Sequence, residues 1–132
     1  MKDINALAQR YIATWNERDP SERLELVSET YTEDASYIDP VRNGKGHDRI
    51  SAMIATVQQQ FAAYVICLKG DVDAHNDRVR FQWEGTFQRE TGGAKEAPVH
   101  FVGTDFGIIA GDGRFGSITG FVDQRPASPL KS

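Results

Sequence analysis

Cysteine is nearly absent. Cys67 is the only one in 132 residues, so no disulfide can close within the chain, and a reducing cytoplasm is the expected location. No apolar run approaches the about 20 residues of a membrane-spanning helix, so no membrane partner is expected. The opening stretch MKDINALAQRY carries charges where a secretory leader needs an apolar centre. Basic charge is in deficit: 15 Lys and Arg stand against 19 Asp and Glu, for a net charge of -4. The basic residues form no stripe along which phosphates could run, which argues against nucleic acid. Histidine is scarce too, and His47, His75 and His100 have no ligand spacing to one another, so no metal is expected. Repeats, low-complexity stretches and linkers are also missing. The length suits one domain, expected over residues 1–125, with a polar, proline-bearing tail over 126–132.

What is present is strong periodicity. Ile4, Leu7, Ala8, Tyr11, Ile12 and Trp15 recur at helical spacing. Asp19-Pro20-Ser21-Glu22 reads as a second helix start, with Leu24, Val27 and Tyr31 facing inward. Residues 35–39 read as a short strand ended by Pro40, and 41–46 as a loop around Asn43-Gly44. A third helix is expected from His47, with Ile50, Met53, Ile54, Val57 and Phe61 on one face. Alternation then replaces the helical period over 64–74, 79–89, 99–109 and 114–123. Asn76-Asp77, Thr91-Gly92-Gly93 and Gly111-Asp112-Gly113 supply turns. Helices first and hairpin-linked strands after them give an α+β fold, a curved antiparallel sheet wrapped around three N-terminal helices. Such a sheet leaves one end open as a cone, a common place for a small molecule.

Tyr11, Asp39 and Asp105 stand out as polar groups set among apolar ones, which is costly unless they are paired or used. Asp105 interrupts the apolar strand HFVGTDFGII, Asp39 ends ASYIDPV, and Tyr11 sits in QRYIATWNERD. Removing a proton beside a carbonyl needs a base at the carbon and donors at the oxygen. Asp39 has the chemistry of the base. Tyr11 could donate to the oxygen, and so could Asp105 if its apolar neighbours keep it protonated. Each also has a plain structural reading. Tyr11 suits a core aromatic, Asp39-Pro40 a turn, and Asp105 a hydrogen bond to Tyr11, Thr104 or Thr119. Among the rest, Gly111-Asp112-Gly113 opens no helix and is no phosphate loop. Cys67 reads as a small apolar filler, and Arg78, Arg80, Gln82 and Glu84 as an outward or dimer-facing row.

This element order, with RYIATWNERD, YTEDASYIDP, the GHDRI helix start and TDFGIIAGDGR, resembles the nuclear transport factor 2-like superfamily in its SnoaL-like branch. The resemblance covers the chain to about Asp123. It implies the cone-shaped roll also described as cystatin-like. Within that superfamily the site resembles ketosteroid isomerase. The resemblance implies Asp39 as general base, and Tyr11 and Asp105 as the donors that hold the oxyanion, with no cofactor. The loop after Pro40 departs from that enzyme in being shorter and more charged, with Arg42, Lys45 and His47. SnoaL-type polyketide cyclases are also similar, with an acid/base aspartate at the Asp105 position.

The expected pocket lining is Trp15, Tyr37, Met53, Phe61, Trp83, His100, Val102 and Phe121, around a small hydrophobic molecule. A homodimer through the sheet is the expected assembly. Three functions stay open: a cofactor-free isomerase or polyketide-cyclase-like enzyme, a binder of a hydrophobic ligand without chemistry, and a protein-interaction module.

Overall fold

Two aspartates start the first two helices. In the computed structural model, which describes residues 3–88, 90–91, 94–95 and 97–124, Asp3 caps α1 (Ile4–Asn16) and Asp19 caps α2 (Pro20–Thr30). Each carboxylate accepts a backbone N–H three residues on, from Ala6 at 3.1 Å and from Glu22 at 2.9 Å. Strand β1 (Tyr31–Ile38) follows α2 directly and is paired with the short β2 (Asn43–Lys45). Gly46, at φ 88°, turns the chain into α3 (His47–Gln60). The long strands β3 (Ala63–His75), β4 (Arg78–Gln88), β7 (Val99–Ile109) and β8 (Phe115–Gln124) complete the main sheet. Between them, β5 (Glu90–Thr91) and β6 (Ala94–Lys95) pair with each other.

The six-stranded sheet runs β2-β1-β8-β7-β4-β3 and does not close. Its register sorts side chains onto two faces. Phe81, Trp83, Gly85 and Phe87 of β4 lie opposite Asp105, Gly103, Phe101 and Val99 of β7. Facing them, the helices contribute Leu7, Ala8, Tyr11, Ile12, Trp15, Val27, Ile50, Ile54 and Val57, all buried. Burial of this apolar set against the inner face is the main force holding helices to sheet.

The α+β expectation holds, with several differences. The sheet is mixed, because β1 runs parallel to β8 while the other pairs are antiparallel. These two strands lie at opposite ends of the sequence, so no hairpin dictates their direction. Tyr31 opens β1 instead of closing the second helix. Its backbone N–H caps that helix by donating to the Val27 carbonyl. On α2 it is Arg23 that is buried, while Leu24 lies 38% exposed. Asn43-Gly44 is strand rather than loop, and the turn falls one step earlier, over Asp39 to Arg42. Phe61 caps α3 from just beyond its end. Cys67 is exposed, because it alternates with the buried Ile66. His47 is half-buried, with its ring nitrogen 2.8 Å from the Tyr31 carbonyl. Arg89, the Gly92-Gly93 turn and the 126–132 tail lie outside the described residues.

Candidate functional site

Asp105 projects from the inner face of β7 and is only 3% exposed. The Tyr11 hydroxyl, brought in by α1, donates to its Oδ2, and the Trp83 indole N–H from β4 donates to its Oδ1 at 3.2 Å. Burial pushes the Asp105 carboxyl up to about 7; the Tyr11 and Trp83 hydrogen bonds pull it down, and the charges of Asp39 and Asp123 push it further up. Near neutral pH this acid is therefore present in both forms. Burial also raises the Tyr11, Tyr31 and Tyr37 phenols well above their usual value, with the Asp105 charge acting in the same direction. All three remain neutral hydroxyls at physiological pH.

Asp39 stands just past the end of β1 and is half-buried. Its Oδ1 accepts the backbone N–H groups of Val41 and Arg42, both at 2.8 Å. Its Oδ2 accepts the Tyr37 hydroxyl at 2.7 Å. The turn reading of Asp39-Pro40 is thus realised, and the same turn fixes the carboxylate in one orientation. Pro40 suits a turn that its predecessor's side chain closes.

Gly120, on β8 opposite Asp105, ties the two carboxylates together. A Cβ placed there would meet Asp105 Oδ1 at 2.9 Å, Asp39 Cβ at 3.3 Å and Tyr37 Oη at 3.4 Å. Only a residue without a side chain leaves this space. Asp39, Tyr37 and Asp105 therefore converge on one small region, with Tyr11 and Trp83 behind Asp105.

The surroundings are aromatic. Trp15 lies against Tyr37 with ring centroids 5.6 Å apart. Phe61 packs on Phe87 at 5.0 Å and on Phe101 at 6.5 Å. Met53 is buried on α3. On the inner face Val99, Phe101, Trp83 and Val122 remain partly exposed.

Three of the expected lining residues are not part of this region. His100, Val102 and Phe121 project from the opposite face of the sheet, and Phe121 is 56% exposed. His100 sits 3.4 Å from the Glu84 carboxylate and 3.2 Å from the Thr86 hydroxyl. The β4–β7 ladder runs without a bulge, so residues 100 and 102 must oppose 105. The sequence held that parity signal, since even and odd positions of one strand cannot share a face. It also held a signal for Tyr31, whose aromatic ring suits a strand better than a helix end. Tyr31 is fully buried near the site, and its hydroxyl is without a hydrogen-bond partner among the described residues.

Comparison with known proteins places this geometry. The model of the SnoaL-like domain matches residues 8–115. A protein of the SnoaL-like family from Agrobacterium tumefaciens str. C58, for which isomerase activity has been suggested, is 33% identical; the match covers 90% of this chain and 96% of that one, at a TM-score of 0.76. An NTF2-like protein of unknown function from Exiguobacterium sp. 255-15 superposes at a TM-score of 0.73 with 15% identity, over 89% of this chain and 98% of that one. A protein of ketosteroid isomerase-like fold from Catenulispora acidiphila DSM 44928, solved with trimethylamine, gives 0.69 with 16% identity, over 86% and 82%. The last two likenesses show the fold alone. No curated protein matches the chain.

Proposed function

The chain belongs to the SnoaL-like domain family, and within it we propose an isomerase that shifts a proton beside a carbonyl in a small, largely apolar compound. The observation that carries this reading is the convergence at Gly120 of a fixed carboxylate, Asp39, and a buried acid, Asp105, paired with the Tyr11 phenol. In the proposed step, Asp39 takes a proton from the carbon next to the carbonyl. The bonding electrons move to the carbonyl oxygen and form an enolate. Protonated Asp105 donates a hydrogen bond to that oxygen, the Tyr11 hydroxyl turns to it from Asp105 Oδ2, and Asp39 returns the proton at another carbon. The burial of Tyr11 and Asp105 lowers the local dielectric, which strengthens both donors. The suggestion of isomerase activity for the Agrobacterium protein supports the same class.

One observation favours binding without chemistry. Both Asp39 oxygens already accept hydrogen bonds, from Tyr37, Val41 and Arg42. The two readings separate in an exchange assay. A panel of cyclic enones is incubated with the protein in deuterium oxide and followed by NMR. Isomerase chemistry requires deuterium to enter at the carbon next to the carbonyl, and Asp39→Asn to slow it by about 100-fold or more. A panel that binds but gains no deuterium leaves the binder.

A further inference from the structure

Although the chain carries more acids than bases, three arginines gather around the C-terminal end of α3 and, among the described residues, donate to neutral partners. Arg23, 4% exposed, donates to Ser51 Oγ at 3.2 Å, Gln58 Oε1 at 2.9 Å and the Glu17 carbonyl at 3.2 Å. Arg18 donates to the Gln58 and Phe61 carbonyls, both at 3.3 Å, and lies 4.9 Å over the Tyr64 ring. Arg42 donates to Gln60 Oε1 at 2.7 Å. Among the described residues, the ion pairs involve Arg78, Arg80, His100 and Arg114 instead.

Helix ends account for two of these cations. Neither α1 nor α3 has a basic residue in its last turn, and Arg23 and Arg18 sit on the orphan carbonyls there. Arg42 has no such duty. Its backbone N–H is part of the turn that fixes Asp39, and its guanidinium reaches across to the residue before Phe61. It therefore bridges the carboxylate of the site to the end of the Phe61–Phe87–Phe101 aromatic cluster. Gln60 takes up one of the five guanidinium N–H donors.

We propose that Arg42 binds a carboxylate at the far end of the ligand, with the field of Arg18 assisting. The ligand would then be an amphiphilic keto acid: apolar body on the aromatic rings, carbonyl at Tyr11 and Asp105, carboxylate at the rim. This rests on the reading of the Tyr11–Asp105 pair given above. A single negative charge fits better than a phosphate dianion, because the Arg18 donors already serve carbonyls and Arg42 alone is available for a two-pronged contact.

The test compares two fluorescent phenols, 2-naphthol and 6-hydroxy-2-naphthoic acid, titrated into the wild type and Arg42→Gln. The wild type should hold the carboxylate-bearing phenol about tenfold or more tightly, and that preference should weaken as salt is raised. In Arg42→Gln the preference should vanish while 2-naphthol still binds, which also shows that the variant is folded. Equal affinities in the wild type, or a preference that survives Arg42→Gln, would overturn the proposal and leave the Tyr11–Asp105 site standing. Failure of the wild type to bind either phenol would overturn both.

Discussion

Trp83 stands across the β4–β7 ladder from Gly103, and its indole N–H reaches past that glycine to Asp105, 3.2 Å away. The indole fills the space that a side chain at 103 would need, since a Cβ there would meet Trp83 Nε1 at 2.6 Å. Gly103→Ala should therefore displace the indole and cost about 1–3 kcal/mol of stability. Urea unfolding followed by tryptophan fluorescence checks both effects. An unchanged emission spectrum and midpoint would mean that the ring is not held as described.

The raised Asp105 carboxyl predicts a definite pH dependence. Its folded value, about 7, lies above the 3.8 of the unfolded chain, so between these limits the folded state holds a proton that the unfolded state has lost. The group's contribution to stability is full below about pH 4 and falls by about 1.4 kcal/mol per pH unit toward pH 7. Asp105→Asn keeps the shape and cannot ionise. The stability of the variant relative to wild type should therefore rise from pH 4 to pH 7 and then level off. Parallel stability curves across that range would show that Asp105 titrates as an ordinary carboxyl.

Tyr31 carries a buried hydroxyl with no partner among the described residues, beside rings that pack well on its own: Tyr11 at 6.3 Å and Phe115 at 6.4 Å. Removing an unsatisfied buried hydroxyl while keeping the ring should not destabilise, and Tyr31→Phe should gain up to about 1 kcal/mol. Thermal unfolding decides this. A loss of more than about 1 kcal/mol would show that the hydroxyl is bonded in solution, through a buried water for example.

The sequence made the long elements legible because their periods are clean. The Ile4 to Trp15 stripe became α1, and the four alternating runs became β3, β4, β7 and β8 with ends within a few residues of those expected. Direction and local turn geometry were harder to read. Nothing local to YTEDASYI says that it runs parallel to β8, because that choice depends on packing across the whole domain. Asn43-Gly44 carries a strong turn signal, yet the Asp39 side chain closes the turn first. At the site, an acid within an apolar strand was the sound clue, and it led to the Tyr11–Asp105 pair. The expected lining failed where hydrophobicity was used without parity. Val102 and Phe121 are apolar, but they alternate away from Asp105. The charge of Arg42 stood out in the loop after Pro40, but not its reach to Gln60, and Gly120 had no clue of its own, since a glycine in a strand acquires meaning only from what stands opposite.

If Asp39 is the base and Tyr11 and Asp105 are the donors, as proposed above, the site should favour a bound enolate. A naphthol mimics that enolate: its oxygen takes the donors, and its ring places electron density near the base. The most direct measurement is the affinity of 2-naphthol, by fluorescence titration, for the wild type and for Asp39→Asn. Removing the negative charge should tighten binding by about tenfold or more, because the repulsion between Asp39 and the bound phenol disappears. Equal affinity in the two proteins, or binding in neither, would show that Asp39 does not face a bound enolate at Tyr11 and Asp105.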